Sequence, residues 1–394
     1  MIVYRFCQRN HLKIVCLLAL LSVLAYSLSK DQLLNNNSSV SDVYCRKWLC
    51  VNSDTAICSP SADGIVMNLN ASPHRWTLFD SESTDVTDRR IFFHITSDDS
   101  ELNLKQCCVV ESAARHNADR SVFLFLRPPS QCSSAAASSA PRFVPPPAWF
   151  KVLASYANVK VVLINEEHYF NGSPLQEWYT KGEWRQSRFK NAHLADYYRV
   201  LSLHKNGGLF LDASTLILKQ LKGDTFTNFF SYIDDRKVDI GSAAIHLERG
   251  HWLPNEIMKL ITEDYDPDSY VYNGPEAYRA ALVMAANKCD GKINKSKLHY
   301  SKNQCVGNVK VLASHYFYPV TVIVADIPFV DGNQTDVHFL ESIKKSHGIH
   351  LWNSLSSGLR LPINMKSEHQ IFSILAREHC PITVANWAGL IKRQ

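Results

Sequence analysis

An α/β fold with a mostly parallel central sheet is what the sequence predicts, and three observations predict it. Short apolar runs without polar alternation recur at Ile91–Ile95, Val122–Leu126 and Val159–Ile164. Strands of that kind are buried on both faces, as in parallel sheets. Helical patterns separate them, the first being Leu102–His116 after the helix-start string Thr96-Ser97-Asp98-Asp99. A tight apolar strand, Leu209–Leu211, then ends on Asp212, and open α/β sheets bind ligands at the carboxyl ends of their strands. The topology expected is a nucleotide-binding one. A composition of 46% hydrophobic and 20% charged residues over 394 positions excludes disorder, collagen and coiled coil. The net charge of +5 is diffuse rather than clustered, so no nucleic-acid partner is expected.

The N-terminus sets the compartment. Arg5, Arg9 and Lys13 precede an uncharged apolar run, Ile14–Leu28, which by the positive-inside rule leaves the tail cytosolic and sends the rest into the lumen. About 16 residues at about 1.5 Å each span roughly 24 Å, a length suited to a thin early-secretory bilayer. Residues 1–13 are read as a cytosolic tail and 14–29 as a signal-anchor transmembrane helix. The alternative is a cleaved signal peptide, with Ala25-Tyr26-Ser27 as its cleavage site. Either way the bulk of the chain is translocated. Sequons at Asn36, Asn37, Asn70, Asn171, Asn294 and Asn333 agree with a luminal glycoprotein. So do the eleven cysteines, which lack the paired C-x-x-C spacing of a zinc site and favour disulfides.

Residues 30–88 carry no sustained periodicity and read as a luminal stem, partly pinned by Cys45, Cys50 and Cys58. The catalytic domain is expected over 89–394. Within it the Pro/Ser/Ala-rich stretch Pro128–Pro147 reads as a surface insertion.

Most of the chemical information lies in Leu194–Leu221, LADYYRVLSLHKNGGLFLDASTLILKQL. Leu194, Tyr197, Tyr198 and Leu201 fall at helical spacing and form a buried stripe, while Asp196 and Arg199, three apart, share another face. Asn206-Gly207-Gly208 ends the helix, since glycine accepts the left-handed cap conformation. Taken alone, Asp196 and Arg199 read more simply as an i,i+3 ion pair on a helix followed by an aspartate in a turn.

The whole string resembles the donor-site segment of sugar-utilising glycosyltransferases with an Asp-x-Asp motif. Further motifs match the animal alpha-1,4-glycosyltransferases over Ile91–Thr383: IFFHITS (91–97), CVVESAAR (108–115), PLQEWY (174–179), YNGPEAY (272–278), YFYPV (316–320), HLWNSLSSG (350–358) and AREHCP (376–381). The resemblance implies a GT-A-like nucleotide-sugar-binding domain in a type II Golgi membrane protein. It implies a retaining transferase that moves galactose, or an N-acetylhexosamine, from a UDP-sugar in alpha-1,4 linkage to a glycolipid or glycoprotein glycan, as in glycosphingolipid biosynthesis.

Site roles follow from the same resemblance. Asp212 and Asp196 are the catalytic candidates. Thr96, Ser97, Asp196, Arg199, Gly207, Gly208 and Asp212 are expected to contact the nucleotide-sugar. Asn273, Gly274, Pro275, Trp352 and Asn353 are expected at the sugar or acceptor, though Pro275 also suits a plain helix start and Trp352 simple packing. A divalent cation, usually manganese (Mn2+) in such enzymes, is expected on Asp212, Ser214 and His350, with a satisfied core histidine as the other reading of His350. One departure stands out: Ser214 occupies the third motif position, where the family generally has Asp, and a hydroxyl is a weaker ligand for a hard cation. The alternative to an active enzyme is therefore a donor-binding pseudoenzyme or partner subunit of the same fold. Front-face displacement is the expected mechanism, because no carboxylate nucleophile of the glycosidase kind stands out.

Overall fold

Strands β3 (Arg90–Ile95), β4 (Ser121–Leu126), β5 (Val159–Ile164) and β6 (Gly208–Leu211) form the parallel heart of the protein, in the order β6-β3-β4-β5. The structure, a computed structural model, describes residues 63–68, 76–79, 89–97, 102–127, 148–234, 239–270, 272–288, 304–306, 308–353 and 363–390. All of these belong to one compact unit. The other strands are β1 (Gly64–Asn68), β2 (Trp76–Phe79), β7 (Thr215–Ile217), β8 (Phe229–Tyr232), β9 (Ile240–Leu247), β10 (Gln304–Val306), β11 (Val309–Leu312) and β12 (Gly348–His350). Ten of the twelve make one sheet in the order β10-β11-β8-β9-β6-β3-β4-β5-β1-β2, and β12 pairs with β7 in a separate antiparallel ribbon. In the large sheet β1, β9 and β10 run against the other seven, so the expected mostly parallel direction holds with three reversals.

The α-helices are α1 (Leu104–His116), α2 (Ala148–Leu153), α3 (Glu166–Phe170), α4 (Gln176–Lys181), α5 (Lys190–Asn206), α6 (Leu253–Glu263), α7 (Ala277–Lys288), α8 (Val337–Lys345), α9 (Ile371–His379), α10 (Pro381–Ala385) and α11 (Trp387–Leu390). The start signal at Thr96–Asp99 is not the one α1 uses. Asn103 caps it in a reciprocal box with Gln106, because the side chain that reaches the orphan amides must stand immediately before the first turn. The stripe Leu194, Tyr197, Tyr198 and Leu201 of α5 is fully buried. It packs with Phe92, Phe125, Tyr169 and Phe170 in an aromatic-rich core.

The expected boundary between stem and catalytic domain is corrected. Residues 64–68 and 76–79, placed in the stem, pair through β1 with β5 and extend the sheet by two strands. Their apolar runs are too short to stand out in a sequence window, and only pairing with an existing edge stabilises them. The tail, the anchor, the rest of the stem, the insertion 128–147 and the sequons at Asn36, Asn37, Asn70 and Asn294 lie outside the described residues. Asn171 and Asn333 are exposed. Among the described residues no helix is long and apolar enough to cross a membrane.

The C-terminal helices are tied to α1 twice. Cys108 and Cys380 form a disulfide across 272 positions of sequence. The buried Glu111 carboxylate accepts hydrogen bonds from the Ile382 and Thr383 amides at 2.9 and 2.7 Å, satisfying the first turn of α10. Cys107 beside it is a buried thiol whose pKa burial pushes up to about 12.

Candidate active site

Asp212 is the first residue past β6, and its amide donates to the Ala243 carbonyl on β9 at 2.8 Å, so the strand ladder fixes where its side chain begins. A tight turn follows, closed by the Thr215 amide on the Asp212 carbonyl at 2.8 Å, and starts β7. From α5, packed against this sheet, Arg199 reaches both neighbouring carboxylates. Its Nη1 lies 2.9 Å from Asp196 Oδ1, and its Nη2 donates to Asp212 Oδ2 at 3.3 Å. The guanidinium stands 4.6 Å above the Phe210 ring. The i,i+3 ion pair anticipated from sequence is thus a three-residue charge cluster, and it is graded in exposure. The Arg199 and Asp196 side chains are 4% and 11% exposed, whereas that of Asp212 is 31% exposed and is the one a substrate can meet.

Burial raises the Asp196 carboxyl to about 6, with Arg199 opposing the rise. Burial alone would raise Asp212 as well, but Arg199, His350 and the hydrogen bonds from Ser214 overcome it and hold that carboxyl below its ordinary value. Asp212 is therefore the permanent anion of the pair at neutral pH.

Gly274 explains why Asp196 sits where it does. A Cβ at this position would stand 2.3 Å from Asp196 Oδ2 and 2.6 Å from Cγ, so the carboxylate occupies the space a side chain would fill. Tyr278, one turn further on, donates its hydroxyl to the Asp196 carbonyl at 3.1 Å. Asn273 is corrected: it was expected at the sugar or acceptor, but its side chain is committed to the loop before α7. It accepts from the Asp266 amide at 2.9 Å and donates to the Asp266 and Ser269 carbonyls, and the residue is 1% exposed. Gly207 and Gly208, expected at the donor, are corrected too. They stand at the start of β6, roughly 13–16 Å of strand away from Asp212. Both have positive φ, and a Cβ would meet the Arg249 amide at 2.3 Å or the Arg90 carbonyl at 2.7 Å, so close backbone packing requires them.

Thr96 and Ser97 follow β3, the strand beside β6, on the same carboxyl edge as Asp212. The Thr96 hydroxyl donates to the Asn191 carbonyl at 3.0 Å, and its own carbonyl accepts from Arg127 at 3.1 Å. Arg127, just past β4, pairs with Glu166, which also accepts from the Tyr198 and Tyr179 hydroxyls. Sequence reading missed this cluster, since Arg127 and Glu166, 39 positions apart, belong to no motif, and Tyr179 and Tyr198 were read only as parts of other segments.

The other wall comes from the C-terminal third. The β7–β12 pairing sets His350 opposite Thr215, and the Leu351 amide donates to the Ser214 carbonyl at 2.8 Å. Ser214 Oγ donates to Asp212 Oδ1 at 2.5 Å and lies 2.8 Å from His350 Nε2. A serine has one hydroxyl proton, so with that proton given to Asp212 it is His350 Nε2–H that donates to Ser214. Burial lowers His350 to about 4, so the ring is neutral. Trp352 adopts a φ of +51° and meets the imidazole edge-on, while its indole N–H donates to the Val320 carbonyl at 2.9 Å. Asn353 donates to the Ala213 carbonyl at 3.4 Å. Tyr318, to which sequence reading gave no role, accepts the Ala243 amide at 2.9 Å behind Asp212; its F-Y-P motif was the available signal.

The three expected cation ligands, Asp212, Ser214 and His350, are brought together, but their hydrogen bonding does not fit a resident metal. A histidine that ligates through one nitrogen normally donates its other N–H to an acceptor. His350 Nδ1 is buried with no hydrogen-bond partner among the described residues. Turning Nε2 to a metal would place the proton on Nδ1 and strand it, a cost of about 1–3 kcal/mol. Ser214 contributes no charge, and among the described residues no group of three His, Cys, Asp or Glu side chains is placed to hold a metal.

In sequence the chain is similar to known glycosyltransferases. The family model described as the alpha 1,4-glycosyltransferase conserved region matches residues 246–387, and the model for capsular polysaccharide synthesis proteins matches 149–266. The first span contains Gly274, Tyr318 and His350, and the second contains Asp196, Arg199, Asp212 and Ser214. Lactosylceramide 4-alpha-galactosyltransferase of Homo sapiens is 24% identical over 297 residues, covering 75% of this chain and 77% of that protein. The Mus musculus protein of the same name is 26% identical over 293 residues, 74% of each. Among solved structures, the PaToxG glycosyltransferase covers 65% of this chain and 78% of its own at 15% identity and a TM-score of 0.38, too distant to add to the argument. The chain is a glycosyltransferase, an enzyme of the hexosyltransferase class. Within that class it is similar to the alpha-1,4-glycosyltransferase family.

Proposed function

We propose that the chain transfers galactose, or an N-acetylhexosamine, from a UDP-sugar to the terminus of a glycolipid or glycoprotein glycan, in alpha-1,4 linkage and with net retention. The observation that carries this reading is the half-exposed Asp212 carboxylate at the carboxyl end of β6, held by Arg199 from within. An alpha-linked donor and an alpha-linked product mean retention, and with no carboxylate nucleophile of the glycosidase kind assigned, the incoming hydroxyl approaches the face that the diphosphate leaves. The bond from the anomeric carbon to the phosphate oxygen breaks, the bond to the acceptor oxygen forms, and the acceptor's proton passes to the departing phosphate oxygen. In this scheme Asp212 orients donor hydroxyls, and Asp196 with Arg199 fixes Asp212; orientation and charge placement are the protein's contribution. Trp352 and Asn353 are assigned to the acceptor side.

The Golgi lumen is the proposed compartment, with a single N-terminal span. The basic flank before the apolar run 14–28, the exposed sequons at Asn171 and Asn333, and the Cys108–Cys380 disulfide support it. Manganese, the cation expected by resemblance, is not carried into this mechanism, because the ligand geometry argues against it.

The test is a panel of UDP-sugars offered to the purified full-length chain, with free UDP as the readout. Hydrolysis or transfer from at least one donor is expected. Asp212→Asn should lower that rate by a factor of about 100 or more, the scale of losing one preorganised group that acts on the reacting sugar. UDP binding with no turnover of any donor would overturn the enzyme reading. It would favour the donor-binding partner subunit, for which the serine at position 214 is the specific motive.

A further inference from the structure

Ser214 and His350 form a continuous hydrogen-bonded chain with Asp212, 2.5 Å and 2.8 Å long at its two links. The Ser214 amide adds a third bond to Asp212 Oδ1 at 2.9 Å. These contacts occupy Oδ1 and leave Oδ2, which faces Arg199, as the atom whose direction the chain determines. We infer that Ser214 and His350 are positioning residues that orient Asp212 for direct hydrogen bonding to the donor's hydroxyls, and that this site binds its nucleotide-sugar without a divalent cation. The inference rests on the reading of the site as a nucleotide-sugar site, and it goes beyond it.

Three observations carry it. The proton inventory makes His350 Nε2 a donor to Ser214, and a nitrogen that donates a proton cannot at the same time bind a metal. His350 Nδ1 is buried without the acceptor that a metal-bound histidine needs on its far side. The third observation is charge. Asp196 and Asp212 against Arg199 leave one net negative charge, whereas a carboxylate at position 214 would leave two. The serine therefore lowers by one unit the negative charge a cation would have to balance. His350 itself is fixed from three sides: its amide donates to the Phe317 carbonyl at 2.9 Å, its ring packs on Tyr318, and Trp352 stands edge-on to it. That rigidity is what a positioning role requires.

The experiment is calorimetric titration of UDP into the purified full-length chain, once in EDTA and once in excess manganese. Dissociation constants within twofold of each other are expected. Binding at least tenfold tighter in manganese would overturn the inference while leaving the donor site in place. Absence of UDP binding in both buffers would overturn the inference together with the proposed function. The conservative variant His350→Gln separates the two roles a second way, because an amide N–H can replace the imidazole donor to Ser214 but is a poor metal ligand. UDP affinity within about threefold of wild type is expected for His350→Gln, with at least a tenfold loss for His350→Ala at an unchanged melting temperature. Equal, large losses in both variants, restored by neither buffer, would rule out the hydrogen-bonding role.

Discussion

Substituting Gly274 by alanine tests the geometry of the charge cluster more directly than removing any charged residue, because it changes no charge. The added Cβ would lie 2.3 Å from Asp196 Oδ2 and 2.6 Å from its Cγ. Ordinary contact needs about 3.5 Å, so the carboxylate must retreat by about 1 Å. Its ion-pair partner is the guanidinium of Arg199, now at 2.9 Å, and a shift of that size would stretch the contact to about 3.9 Å, past hydrogen-bonding distance. Overpacking of a tight site costs about 1–3 kcal/mol, and outright loss of a partner from a buried pair about 3–5 kcal/mol. An intermediate loss of about 2–3 kcal/mol is expected in urea denaturation. UDP affinity should fall by about tenfold or more, since Arg199 is also the residue that holds Asp212. Gly332→Ala is the control: its Cβ would meet nothing closer than 3.6 Å. The decisive measurement is a double-mutant cycle, because Asp196→Ala removes the atoms that the new methyl strikes. In that background Gly274→Ala should cost less than about 0.5 kcal/mol. Additive costs, or wild-type UDP affinity in Gly274→Ala, would refute the claim that this glycine sets the position of Asp196.

Three further outcomes follow from the same structure. Replacing Cys108 and Cys380 by serine opens a loop of 272 positions and should cost about 2–5 kcal/mol in equilibrium unfolding; an unchanged midpoint would show that the Glu111 cap holds α10 by itself. Tyr318→Phe leaves the buried Ala243 amide without its acceptor and should cost about 1–3 kcal/mol, with faster hydrogen exchange at Ala243 as the specific sign. Acid should destabilise the fold. Burial lowers His94 to about 3 and His379 to about 4, so below pH 6.5 the unfolded chain takes up protons that the folded chain refuses, and stability present above pH 6.5 is lost as pH falls toward 4. Asp196, raised to about 6, works in the opposite sense and keeps a proton that the unfolded chain has released. His350, lowered to about 4, adds a third refused proton, so near pH 5 three histidine protons against one from Asp196 leave about two, or roughly 2.7 kcal/mol per pH unit, and stability that is flat or rising on acidification would contradict this.

What was legible in the sequence is what depends on neighbours along the chain. The strand runs at 91–95, 122–126 and 159–164, the helix stripe at 194–201, and the i,i+3 spacing of Asp196 and Arg199 are all local, and each appears within a residue or two of its expected place. The delivery of Asp212 by β6 is local too, because a strand fixes the position of the residue that follows it. Errors came where a residue's role depends on what crosses it from elsewhere. Gly207 and Gly208 were expected to contact the nucleotide-sugar. They begin the strand whose far end delivers Asp212, and the backbone of Arg249 and Arg90 presses on them there. Asn273 sits in a matched motif, yet the bend of its own loop turns its amide inward. The two short strands at 64–68 and 76–79 carry too little pattern to be seen without the edge of β5.

Position 214 shows the same division at the level of chemistry. Along the chain, an Asp-Ala-Ser turn differs from Asp-x-Asp by one ligand and reads as a weakened metal site. Across the fold, β12 brings His350, 136 positions later, to the serine hydroxyl, and there the substitution has a positive consequence. A carboxylate at 214 could not donate a proton to Asp212, and two carboxylates 2.5 Å apart could not both stay ionised without a cation between them. A hydroxyl can donate to one side and accept from the other, which lets a neutral imidazole and a carboxylate share it. The serine therefore removes the electrostatic reason for the metal and supplies the hydrogen bond that replaces its orienting effect. The two residues depend on each other: serine without a donor at 350 would leave Asp212 less firmly aimed, and a histidine without the serine would have no proton acceptor at that end. Coupling of this kind predicts that Ser214→Ala and His350→Ala, measured by UDP affinity in EDTA, should be markedly non-additive, with the double variant losing little more than either single one.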